Sequence, residues 1–90
     1  MDKSHFDITL GMYIKSLRES LSLSQSDLAA LMNNNPQNIS AYESGKRNPG
    51  TFWIDRLCES LKIDPIKFYA DFYNSFYKSE KENQLNSIAK

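Results

Sequence analysis

Residues 33–40 read NNNPQNIS, five side-chain amides and a hydroxyl around one proline, and the cations Lys46 and Arg47 follow a few positions later. An amide presents a donor and an acceptor together. That pairing matches the N6 and N7 edge of an adenine through two parallel hydrogen bonds. A cation pair just beyond would suit phosphate. The competing reading is a polar turn, with Asn33 and Asn34 touching no ligand and Asn35 serving only as a helix cap. Pro36 bears on the choice, because proline is favoured at the first position of a helix, where its missing N–H costs nothing. Asn35 then becomes the cap, and Gln37 and Asn38 lie in the first helical turn. No nucleophile with a base and an orienting partner stands out, and no carboxylate pair, so catalysis has no candidate site. Cys58 and His5 are each the only residue of their type. A disulfide framework or a zinc cluster is therefore not expected, and neither is a cofactor.

The elements that must position these groups follow from pattern. Ninety residues with 40% hydrophobic content suit one domain with a modest core. No apolar run approaches the roughly 20 residues of a membrane span, and MDKSHFDITL lacks a signal peptide's apolar stretch. The expectation is a cytoplasmic chain. Eleven Lys+Arg balance eleven Asp+Glu, so any nucleic-acid surface must be a local patch.

Glycine occurs only at 11, 45 and 50 and proline only at 36, 49 and 65. These breakers punctuate a chain otherwise of helical period. Ile8, Leu10, Tyr13, Ile14, Leu17 and Leu21 predict an amphipathic helix over 8–21, with Gly11 a mild cost. Ser24 opens a capping-box-like S-Q-S-D, followed by Leu28, Ala29, Leu31 and Met32 as the apolar face of a short helix. A third helix over 36–44 points Ile39 and Tyr42 inward and ends at Gly45. A fourth, about 51–62, carries Ile54, Leu57, Cys58 and Leu61. Asp64-Pro65 starts a fifth that runs to about 80. The chain reads as all-α, with a domain over 8–77 and polar, flexible termini at 1–7 and 78–90.

Two short helices joined by residues able to adopt unusual backbone angles make a helix-turn-helix, whose second helix enters the DNA major groove. From about Gly11 to Tyr69 the chain resembles the phage repressor and Cro type (XRE family) of this domain. The matching strings are L-S-Q-x-x-L-A at 23–29, I-S-x-Y-E-x-G at 39–45 and K-R-N-P at 46–49. The resemblance implies a five-helix, lambda-repressor-like fold, a homodimer on a double-stranded DNA operator, and transcriptional regulation, usually repression. It also implies a structural ion pair between Arg18 and Glu43. The chain departs from the pattern in the turn, where Asn33 and Asn34 replace a glycine and a branched apolar residue.

On this reading Gln37 and Asn38 face bases, and Ala41 offers at most a methyl contact. Gln25, Asn35, Ser40, Lys46, Arg47, Asn48 and Arg56 are the candidate phosphate contacts. Residues 66–77, IKFYADFYNSFY, hold six aromatics. We expect Phe68, Phe72, Tyr73, Phe76 and Tyr77 to form a dimer interface, since aromatic anchors suit interface centres. The alternative is that these rings fold back over the domain's own core. An antitoxin, whose aromatic helix or tail engages a toxin, and a protein-interaction adaptor are the rival readings.

Overall fold

The computed structural model describes residues 1–89, with side chains through Asn83. The helices are α1 (Lys3–Ser20), α2 (Gln25–Leu31), α3 (Pro36–Glu43), α4 (Gly50–Leu61) and α5 (Pro65–Phe72). α5 continues through a π-helical turn (Tyr73–Tyr77) into α6 (Lys78–Ala89). The fold is all-α and lambda-repressor-like, and among the described residues it has no strand.

The local signals act as their chemistry requires. Ser24 and Asp27 form a reciprocal capping box at the start of α2. Asn35 caps α3, its Oδ1 accepting the Asn38 N–H at 2.8 Å, with Pro36 in the first turn. Asp64 caps α5 through the Ile66 N–H at 2.9 Å. Asn33 takes the left-handed conformation at φ 53°, and Gly45 does so at φ 79° behind α3. Asparagine and glycine are the residues that adopt this region at least steric cost.

Both termini depart from the sequence expectation. α1 begins at Lys3 rather than Ile8, because the Asp2 carboxylate accepts the His5 N–H at 2.8 Å and nucleates an earlier turn. Residues 3–7 are thus part of α1, with Asp2 as its cap. At the other end Lys78–Ala89 is helical rather than an irregular tail. The polar composition of that segment conceals a helix that simply extends α5.

The core gathers Leu10, Ile14, Leu28, Met32, Ile39, Leu57, Cys58, Phe68 and Phe72, among others. Ile8, Leu21 and Leu31, expected to point inward, are exposed. Gly11 is more than a tolerated cost. A Cβ there would lie 2.5 Å from the carbonyl oxygens of both Tyr42 and Glu43. Only glycine lets α1 cross the end of α3 so closely, and this crossing seats α3.

The aromatic helix is the main correction. Phe68 and Phe72 are fully buried in the chain's own core, and Phe76 and Tyr77 are half-buried against α1. Tyr13 packs on Phe68 at 5.0 Å and on Phe76 at 5.4 Å between ring centroids. Phe6 meets Phe72 at 5.7 Å and Tyr77 at 6.0 Å. The rings therefore fold back, and of the five proposed interface residues only Tyr73 is exposed. The longer α1 makes this possible, since it carries Phe6 under the stripe. The π turn completes it. In a regular α-helix, residues five apart point about 140° away from each other, whereas a widened i→i+5 turn brings Phe72 and Tyr77 to one side.

Candidate nucleic-acid interface

The geometry of α2 and α3 begins with a buried ion pair. Arg18 Nε donates to Glu43 Oε2 at 2.7 Å and Nη2 to Oε1 at 3.0 Å, while Nη1 donates to the Leu23 carbonyl at 2.7 Å. Hydrogen bonding to Glu43 holds the Arg18 guanidinium above its ordinary pKa, against the opposing effect of burial. The pair locks the end of α3 to α1 and to the loop before α2. Tyr42 packs against Trp53 in a tilted contact at 4.7 Å between ring centroids, securing the same helix to α4.

On this support the exposed residues fall into two groups. Gln37, Ser40, Lys46 and Arg47 are exposed around α3 and the loop after it. Gln37 lies in the first turn of α3, and among the described residues its amide has no hydrogen-bond partner. Ala41 is half-buried, which limits it to a methyl-sized contact. Asn35 is exposed, but its oxygen is occupied by the cap.

The second group is already engaged inside the molecule. Gln25 donates its amide to Glu43 Oε1 at 3.1 Å, so this side chain braces the ion pair. Asn48 donates to Asp7 Oδ1 at 2.7 Å and accepts the Gly50 N–H at 2.8 Å. Both ends of that amide are thus hydrogen-bonded within the chain, and Asn48 holds the loop to α1. Arg56 donates to the Met32 carbonyl at 2.9 Å, closing the exposed end of α2. Asn38 donates Nδ2 to Asn34 Oδ1 at 2.7 Å and accepts from Arg47 Nη2 at 3.2 Å. Sequence reading did not assign Asn34 this part, nor Asp7 its tie to Asn48. Asn34 precedes the cap of α3, so no helical spacing announced its pairing with Asn38.

A buried arginine–glutamate pair beneath two short helices, with a left-handed asparagine between them, defines a helix-turn-helix domain. Comparison with known proteins agrees: residues 14–68 match the helix-turn-helix family HTH_3, and the chain belongs to that family. It is 33% identical over 79 residues to an uncharacterised HTH-type transcriptional regulator of Archaeoglobus fulgidus, covering 84% of this chain and 34% of that protein. It is 28% identical over 82 residues to the HTH-type transcriptional regulator y4wC of Sinorhizobium fredii, covering 89% of this chain and 57% of that one. The chain thus spans about a third and just over half of these relatives' lengths.

Among solved structures, the restriction-modification controller protein C.AhdI from Aeromonas hydrophila superposes with a TM-score of 0.63 at 30% identity, over 68% of this chain and 92% of that one. The clp gene regulator ClgR from Corynebacterium glutamicum gives 0.74 at 17% identity, over 91% of this chain and 87% of that one, a likeness of fold.

Proposed function

We propose that the chain is a sequence-specific DNA-binding transcription regulator that represses from a palindromic operator as a homodimer, acting in the cytoplasm. The observation that carries this reading is the unpartnered Gln37 amide on a helix whose far end is fixed by the Arg18–Glu43 pair. A rigid mount with a free donor–acceptor group at its N-terminal turn suits base-edge readout in the major groove. Lys46 and Arg47 supply local positive charge in a chain of zero net charge. The two sequence relatives are named as HTH-type transcriptional regulators and C.AhdI as a controller protein, which supports the same reading.

The dimer in this reading uses a surface other than the buried rings. An open groove of about 710 Å³ between α1, α4 and α5 is lined by Phe6, Leu10, Phe52, Ile54, Tyr69 and Tyr73, among others. Phe52 on its rim is 76% exposed, and Ile66 nearby on α5 is 78% exposed. Projecting apolar side chains next to a hollow suit an isologous contact, in which each copy supplies both parts. Selection of bound sequences from random DNA tests operator, palindromy and half-site spacing together. Recovery of no enriched sequence overturns the reading. Sedimentation of wild type against Phe52→Glu tests the dimer, and a monomer in both cases removes it.

A further inference from the structure

Asn38 is the second amide of the recognition helix, and both of its polar atoms are hydrogen-bonded within the chain. The direction of those bonds is fixed by chemistry. An arginine side chain only donates, so the Asn38 atom facing Arg47 Nη2 must be the oxygen. The nitrogen Nδ2 then faces Asn34, whose facing atom must be Oδ1, and that oxygen also accepts the Asn35 N–H at 2.8 Å. Donation therefore runs in one sense, from Arg47 in the loop through Asn38 on α3 to Asn34 in the turn. Arg47 is held elsewhere as well. Its main-chain N–H donates to the Ala41 carbonyl at 3.3 Å, and its guanidinium carbon lies 6.0 Å from the centre of the Tyr42 ring.

We propose that Asn34 and Asn38 are positioning residues, forming an amide relay that holds the Arg47 guanidinium ready to clamp a DNA phosphate, and that Asn38 does not read a base. The proposal rests on the DNA-binding reading above and reassigns one residue within it. Arginine has five N–H donors, and the relay occupies one of them, so a fork remains for phosphate oxygens. An unrestrained arginine loses substantial rotamer freedom on binding. The relay imposes that order beforehand, which raises affinity for every sequence alike. A bidentate contact from Asn38 to adenine would have to use the second N–H of Nδ2 and the second lone pair of Oδ1, in an orientation already set by Asn34 and Arg47. Gln37 alone remains free to read a base edge from this turn. Asn34, which looks in sequence like a turn residue without further duty, becomes the fixed end of the relay.

The test has a DNA arm and a free-protein arm. With folding checked by thermal unfolding, Asn38→Ala and Arg47→Lys should each weaken binding by about three- to tenfold on all sequences. Arg47→Lys keeps the charge but loses the fork. The double variant should bind no more than about twofold more weakly than the poorer single, since both remove one coupled device. Sequence selection from random DNA should return the wild-type site for Asn38→Ala. A changed preference at any base pair, or fully multiplicative losses in the double variant, overturns the relay. In the free protein, the Asn38 side-chain amide protons should shift in NMR spectra on both Asn34→Ala and Arg47→Lys. Unmoved resonances also overturn it. A wild-type chain that binds no DNA sinks the parent reading and the relay's purpose with it. Wild-type binding in which Asn38 proves to be a reader sinks the relay alone.

Discussion

The helix-turn-helix and the aromatic C-terminal helix are held by opposite means. α2 and α3 are short, and although Leu28 and Ile39 seat them in the core, hydrogen bonds to named partners orient them: the capping box, the Asn35 cap and the Arg18–Glu43 pair. α5 and its continuation are held by rings packed on α1, with Phe68 and Phe72 at zero exposure. Hydrogen bonds are directional and leave outward atoms in defined places. Apolar burial is non-directional and supplies most of the stability. One region therefore aims and the other anchors. Both converge on α1, whose Arg18 serves the first and whose Phe6 and Tyr13 serve the second.

Perturbing each half should separate these roles. Phe72→Ala should cause the largest loss, about 3–5 kcal/mol of stability, because a fully buried ring leaves a cavity. Denaturant unfolding measures it, and a loss below about 1 kcal/mol would place the anchor elsewhere. Arg18→Ala should cost nearly as much, about 3–5 kcal/mol, by leaving the Glu43 carboxylate buried without its partner. It should also weaken DNA binding beyond what partial unfolding explains, which a gel shift on the folded fraction would reveal.

Gln37→Ala should reverse the pattern. Stability should change by less than about 0.5 kcal/mol, as for an ordinary surface site. Binding should lose about 1–3 kcal/mol, with preference relaxed at one base pair. Unaltered preference would remove Gln37 as the reader.

The smallest effect lies in the anchor's pH dependence. Burial foremost, then the neighbouring Asp71 and Cys58, pushes the Tyr13 phenol up from 10.0 to about 12. The unfolded chain gives up that proton near pH 10, so the contribution is complete below pH 10 and is lost as pH rises toward 12. The slope is at most about 1.4 kcal/mol per pH unit. Stability measured across that window should fall less steeply in Tyr13→Phe than in wild type, and equal slopes would mean that Tyr13 titrates freely.

Much of the aiming half was legible because its signals are local. Ser24, Asn35-Pro36 and Gly45 act on backbone groups within a few residues of themselves. The strings at 23–29, 39–45 and 46–49 carried the family resemblance. Side-chain destinations were less legible. Gln25, Asn48 and Arg56 have the chemistry of phosphate contacts, yet their partners are Glu43, Asp7 and the Met32 carbonyl, distant in the chain. Asn38 belongs to the same set, since an amide suited to adenine is equally suited to the amide of Asn34 and the guanidinium of Arg47 that it meets here.

By itself the sequence determined the helix order, the caps of α2, α3 and α5, the left-handed turn at Asn33 and the presence of an unusually aromatic helix. Periodicity and backbone preference are properties of a few neighbouring residues, and they survive without a fold. Tertiary structure alone decided that the aromatic rings turn inward rather than toward a partner. That outcome needed Phe6, on an early turn of α1 that Asp2 nucleates, and the π turn that brings Tyr77 to it. It also gave Gly11 its purpose, through carbonyl oxygens some thirty residues away. Contacts between remote segments depend on how helices cross, and no local pattern encodes that.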